Sequence, residues 1–261
     1  MGVLNVTPDS FFDGGRYKTP AAILKQTEKM LKEGAHFIDI GACSSKPGAA
    51  GVSEDQEKER LLPIVALLIK EFPDIVLSID TFRSGVAKEA AHRGAAMIND
   101  ISAGNLDPNM IPTVAALGLP YIMMHMKGNP SNMQSQSQYK QLLQDIILYF
   151  SEKVEVAKSH GLYDLIIDPG YGFAKTTEQN FTLLKHSQLL LNLELPILTG
   201  LSRKSMIYKT LGTTAEKALN GTTALHMQAL LNGSHILRVH DVAAAVECVT
   251  LFNALNEAQE L

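Results

Sequence analysis

The chain has 261 residues, 23 lysines and arginines against 27 aspartates and glutamates, a formal net charge of −4 and 46% hydrophobic residues. This suits one domain with a sizeable core, and the slight acidic balance argues against a polyanion-binding surface, so no nucleic-acid partner is expected. No apolar run approaches the roughly eighteen residues of a membrane span, no basic-then-apolar leader is visible, and two cysteines, Cys43 and Cys248, are too few for a disulfide framework or metal cage. A cytoplasmic protein without membrane contact is the expectation.

Along the chain, short apolar runs alternate with helix-period stretches. MGVLNV (1–6) leads through a long polar connection (5–19) to a helix over 21–33. HFIDIG (36–41) leads through a second one (42–53) to a helix over 54–71. IVLSID (75–80) precedes a helix over 84–93, AMIND (96–100) a short one over 110–117, and PYIMMHM (120–126) one over 139–160. LIIDPG (165–170), PILTGLS (196–202) and HILRVHD (235–241) precede helices over 178–191, 215–231 and 242–258. Glycines at 34, 94, 118, 161 and 233 read as helix stops. Apolar runs of strand length alternating with amphipathic segments are βα units of a parallel sheet. Eight of them in one domain, 1–261, predict a closed (β/α)8 TIM barrel of class α/β.

In such a barrel the chemistry lies at the carboxyl ends of the strands, where this chain places its polar residues. Asp80, Asn99 and Asp168 end the third, fourth and sixth runs, and Lys204 follows the seventh. Carboxylates, an amide and an ammonium converging there suit a flat, nitrogen-rich heterocycle; a helix N-cap is the alternative for Asp80. Met124 or Met126 could flank a planar ring while the other fills the barrel, and His125 reads as a hydrogen-bonded core histidine. Arg238 and His240 alternate along the eighth run, so both face one way toward an anion pocket of the kind barrels build there. An ion pair with a neighbouring acid is the alternative for Arg238. Asn5, beside them in a closed ring, could hold a cation bridging to the anion. Zinc would need more ligands, whereas a few oxygens plus a substrate phosphate suit Mg2+.

Eight motifs in order, GVLNVTPDSFFDGG (2–15), DIGACSSKPGA (39–49), SIDTFR (78–83), IND (98–100), MHMKGNPSNMQ (124–134), DPGYGFAKT (168–176), GLSRKS (200–205) and RVHD (238–241), resemble the dihydropteroate synthases, the folate-pathway family inhibited by sulfonamides. The resemblance implies a transferase in which 4-aminobenzoate displaces pyrophosphate from 6-hydroxymethyl-7,8-dihydropterin diphosphate. It assigns Asp80, Asn99, Met124, Asp168 and Lys204 to the pterin, and Asn5, Arg238 and His240 to the diphosphate, with Asn5 on its Mg2+. Phe11, Ser45, Lys46, Pro47, Phe173 and Ser205 form the aminobenzoate pocket. Asp80, Lys204, Asp13, Arg238 and His240 act in a dissociative substitution through a pterin cation, under lids formed by the two long connections. A homodimer is also expected. The family commonly reads GESTRPG in the second connection, where this chain has GACSSKPG (41–48): Cys43 replaces the acid, Ser45 the threonine and Lys46 the arginine. A lysine keeps the charge but loses the planar fork. A pterin-binding methyltransferase barrel would share the acid and amide contacts but has no need of the diphosphate residues. A non-catalytic pterin-binding scaffold would need neither set complete.

Overall fold

β1 (Gly2–Asn5), β2 (Ile38–Gly41), β3 (Leu77–Asp80), β4 (Met97–Asp100), β5 (Tyr121–Met124) and β6 (Leu165–Asp168) pair in chain order as one parallel sheet in the computed structural model, which describes residues 1–6, 19–42 and 52–258. β7 (Leu198–Thr199) and β8 (Ile236–Leu237) form a parallel pair, and bridges between Ile167 and Ile197 and between Gly2 and Val239 join it to β6 and β1. Hydrogen bonds of 2.9 Å from Ile167 N–H to Pro196 O, Val3 N–H to Val239 O and Val239 N–H to Met1 O complete the ring. The expected barrel is therefore present, with every strand shorter than its apolar run and β7 and β8 reduced to two residues each.

Helices α1 (Pro20–Lys32), α2 (Glu54–Glu71), α3 (Ser84–Ala91), α4 (Met110–Leu117), α5 (Leu142–Ser159), α6 (Thr177–Lys185), α7 (Ser205–Thr210), α8 (Leu219–Leu231) and α9 (Val242–Glu257) surround it. Their starts follow local rules. Thr19 caps α1 ahead of Pro20, and Ser53 with Gln56 closes a capping box on α2. All five glycine stops have positive φ, and Gly118 is the left-handed C-cap of α4.

Two helical expectations need correction, and one helix, α7, is not among the expected ones. The 178–191 segment divides into α6 and a 3₁₀ turn, Ser187–Leu193; Phe181 with Leu184 and Leu190 with Leu193 are three apart, a spacing that satisfies either geometry, so periodicity cannot separate them. α8 begins at Leu219, not 215, because the Arg203 guanidinium takes the Ala215 and Glu216 carbonyls that a longer helix would use. Six-residue α7 is too short to show a period.

Alternation along each strand divides the core. Leu4, Ile38, Ile40, Leu77, Ile79, Ile98, Tyr121, Met123, Leu165 and Ile167 point outward into one cluster with the helices. The opposite set points into the barrel, where Met97, Ile122, Ile166 and Leu198 pack with Met1, Phe37 and Ile236 as an apolar floor. The interior is thus filled by side chains, not open as a pore.

Candidate active site

One step of the same alternation above that floor, the interior changes character. Asn99 follows Met97 by two residues, Met124 follows Ile122, Asp168 follows Ile166, Gly200 follows Leu198 and Arg238 follows Ile236. The parallel register keeps them on one face: Asp80 pairs with Asn99 and Met124 with Asp168. Asn5, paired with Gly41, and His240 have the same parity. Every strand-end residue expected at the site is therefore brought to the barrel mouth.

Arg238 organises its charge. Its Nε donates to Asp39 Oδ2 at 2.6 Å and its Nη2 to Asp80 Oδ2 at 2.9 Å, while Asn99 Nδ2 donates to the same Asp39 oxygen at 3.1 Å. The ion-pair alternative thus describes the geometry of Arg238, across the barrel instead of with a neighbour in sequence. Burial opposes the charge on Arg238, but Asp39 and then Asp80 outweigh it and hold the guanidinium firmly cationic. Burial pushes Asp80 up to about 7, against the pull of Arg238. The N-cap role considered for Asp80 is not what it does: α3 has Arg83 at its N-cap, and Ser84 N–H is met by Asp107.

Across the mouth stands a second pair. Burial raises the Asp168 carboxyl, with Lys204 the main opposing influence, and burial lowers Lys204 to about 8. Asp168 Oδ1 accepts from Gly170 N–H at 2.8 Å. Its Oδ2 looks toward Gly200: a β-carbon there would lie 3.8 Å from that oxygen, 3.9 Å from Arg238 Cβ and 4.0 Å from Lys204 Nζ. The missing side chain thus leaves a hollow of methyl size among an acid, a lysine and an arginine. Lys204 Nζ also donates to Tyr171 O and lies 4.8 Å from the Phe173 ring centroid. Phe173 joins Met124, Met126, Met133, Ile101 and Ala174 in a methionine-rich apolar cluster beside the hollow. Ser205, at the start of α7, follows Lys204 directly.

His240 Nδ1 lies 3.1 Å from Ser202 Oγ; burial, then Arg238, lowers it to about 4, so it is a neutral imidazole at physiological pH. His125 is the expected core histidine, fully buried against Tyr149 and in contact through Nδ1 with Lys175 Nζ at 3.0 Å. Arg203 forks onto Asp241 at 2.7 and 2.9 Å, which braces the two strand ends that carry Lys204 and His240. Phe11, Asp13, Ser45, Lys46 and Pro47, like Cys43, lie outside the described residues. Cys248 is a free, buried thiol.

Among the described residues, no group of three His, Cys, Asp or Glu could hold a metal ion. Half-buried Asn5 offers one neutral oxygen at the end of β1. That donor fits a hard cation which keeps waters and takes its other ligands from a phosphate, and does not fit a closed protein cage.

Two residues escaped the sequence reading although its motifs include them. Asp39 sits inside an apolar run, where a completely buried acid signals a partner that the run itself does not show. Lys175, five per cent exposed, looks in sequence like the solvated start of a helix.

Fold and mouth together define a barrel enzyme with an acid and amide pocket for a nitrogen heterocycle, and the family model described as "Pterin binding enzyme" matches residues 1–240. The dihydropteroate synthase of Synechocystis is 43% identical over 98% of this chain and 89% of its own length. That of Escherichia coli is 38% identical over 100% and 92%. A crystal structure of the Yersinia pestis dihydropteroate synthase with a sulfonamide drug superposes with a TM-score of 0.95 at 42% identity, covering 99% of this chain and 94% of that one. One from Xanthomonas albilineans with 4-aminobenzoic acid gives 0.91 at 37%, covering 99% and 93%. The chain belongs to the pterin-binding enzymes and, within them, to the dihydropteroate synthase family, which are transferases.

Proposed function

We propose that this mouth condenses 6-hydroxymethyl-7,8-dihydropterin diphosphate with 4-aminobenzoate, giving 7,8-dihydropteroate and pyrophosphate. The observation that carries the reading is the convergence of Asp168, Lys204 and Arg238 around Gly200, with Asp80 bonded to Arg238 and Asn99 paired with Asp80 on the same face. The Asp168 carboxylate receives N–H groups of the pterin's guanidine-like edge, Lys204 donates to its carbonyl or ring nitrogen, Asn99 both donates and accepts, and Met124 packs against the ring. Arg238, His240 and Asn5 face the diphosphate from β8 and β1. Mg2+, when bound at Asn5, supplies positive charge to the leaving group. Departure of diphosphate before attack makes negative charge grow beside Arg238 and positive charge grow on the pterin beside Asp80, so both contacts strengthen toward the transition state. Asp13 supports the same cation. Phe173 and Ser205, together with Phe11, Ser45, Lys46 and Pro47, bind the aryl amine, and sulfonamides compete with it there.

The reading includes a cytoplasmic homodimer. Exposed Leu211 at the C-cap of α7, Leu219 and Leu231 on α8, and Leu251 and Leu255 on α9 supply apolar surface for a second copy. Formation of 7,8-dihydropteroate together with pyrophosphate from the two substrates tests the chemistry: no condensation product with both present overturns it. Sedimentation at micromolar concentration tests the dimer.

A further inference from the structure

Asp168 is followed by a segment, residues 169–176, whose backbone is unusual. Gly170, Gly172 and Ala174 have φ of 70°, 82° and 49°, so every second residue is left-handed. For Ala174, fully buried and carrying a β-carbon, that conformation persists only where the surroundings over-determine it. The surroundings do so with three side chains. Tyr139 Oη donates to Ala174 O at 2.9 Å, Lys204 Nζ to Tyr171 O, and Asn180 Oδ1 accepts from Gly172 N–H at 2.7 Å. The segment also presses on the end of β5: a β-carbon at Gly170 would lie 2.2 Å from His125 O, a separation only glycine permits.

Lys175 stands at the centre. Its Nζ donates to Gly170 O at 2.9 Å and Phe173 O at 3.1 Å and meets His125 Nδ1 at 3.0 Å. Among the described residues it forms no ion pair with a carboxylate. Burial lowers Lys175 from 10.5 to about 7, with Asp168 opposing, which is the cost of holding an ammonium on two carbonyls and an imidazole in a turn that a neutral donor could close. The cost is intelligible from what the turn carries, namely the Phe173 ring and the Tyr171 carbonyl that receives Lys204.

We infer that Lys175 is a positioning residue for the aminobenzoate half of the site: its ammonium draws the Gly170 and Phe173 carbonyls together and so fixes the Phe173 ring against Lys204. It touches neither substrate. The inference rests on the reading of Phe173 given under Proposed function and goes beyond it, because the family resemblance gives Lys175 no role.

Lys175→Met keeps the volume of the side chain and removes the charge. With saturating pterin diphosphate, the KM for 4-aminobenzoate is expected to rise about tenfold or more, the loss of one charge-assisted hydrogen bond, while the Kd for pterin diphosphate stays within about threefold. In Lys175→Ala, n-propylammonium is expected to lower that KM toward the wild-type value. A purely structural lysine would instead reduce the folded fraction and leave the KM of the surviving enzyme unchanged, and that result overturns the inference. Should neither variant fold, Tyr139→Phe removes one hydrogen bond from the same segment; an unchanged aminobenzoate KM there also overturns it, and a selective rise supports it. Absence of activity in the wild-type enzyme would refute the proposed function itself, which is a different outcome from wild-type kinetics in Lys175→Met.

Discussion

The floor and the mouth of the barrel interior come from the same strands, two residues apart, yet they solve opposite problems. At the floor, Met97, Ile122, Ile166 and Leu198 remove apolar surface from water and need no partner beyond shape. At the mouth, Asp80, Asn99, Asp168, Lys204 and Arg238 give up water for one another, and burial moves the protonation equilibria of Asp80, Asp168 and Lys204 toward neutrality. The floor holds the fold. The mouth keeps charge in a place where its interaction with a ligand is strong. Asp39 crosses the division: a carboxylate two residues above Phe37, it is compensated by Arg238 from the mouth.

The largest expected effect comes from breaking that crossing. Arg238→Ala leaves completely buried Asp39 without its cation, and urea unfolding should show a loss of about 3–5 kcal/mol. Arg238→Leu with Asp39→Leu should recover most of it; no recovery would mean that the arginine contributes by packing, as floor residues do. In the same single variant, affinity for the pterin diphosphate should fall far more than affinity for the free pterin.

Asp168→Asn comes next. An amide cannot accept in both positions and turns an NH2 toward other donors, so pterin diphosphate binding should weaken by about 2–5 kcal/mol. Affinity within threefold of wild type by calorimetry would remove Asp168 from the pterin pocket.

A matched pair separates the tiers directly. Leu198→Ala opens a cavity in the floor and should cost about 2–5 kcal/mol of stability with binding little changed. Gly200→Ala, two residues on, introduces a methyl whose neighbours stand at 3.8 to 4.0 Å, so it should leave stability within about 0.5 kcal/mol and fill the hollow instead. Pterin affinity should then drop. If the two variants exchange phenotypes, the division between tiers is wrong.

The smallest effect concerns two histidines. Burial lowers His240 in the mouth and His226 in α8 from 6.5 to about 4. Between those values the unfolded chain binds the more protons, so each contributes stability that is present above pH 6.5 and lost as pH falls toward 4; for His226, 2% exposed, the loss is at most about 3 kcal/mol. His240 also feels Arg238, so pyrophosphate with Mg2+ should raise its pKa in an NMR titration and leave His226 where it is. Equal movement of both would contradict the placement of the anion beside β8.

The barrel was legible because each of its strands is a run of apolar residues ended by polar ones, and strand-end parity alone brought Asn5, Asp80, Asn99, Met124, Asp168, Arg238 and His240 to one face. What the sequence conceals is compensation at a distance. Nothing near Asp39 says that its partner lies 199 positions away, and nothing near Lys175 says that its ammonium turns back onto carbonyls already passed. Reading glycines as helix stops leaves unseen the one whose missing side chain makes the hollow.

The short pair β7 and β8 sets a limit on how this molecule can be divided. A fragment ending after β6 would keep all six strands paired with their chain neighbours, so it would retain most of its sheet. It would also hold Asp39 and Asp80 with no guanidinium between them, and Asp168 with no ammonium beside it. The contacts of the barrel are modular and its charge balance is not: two halves supplied as separate chains could regain activity only by first neutralising each other.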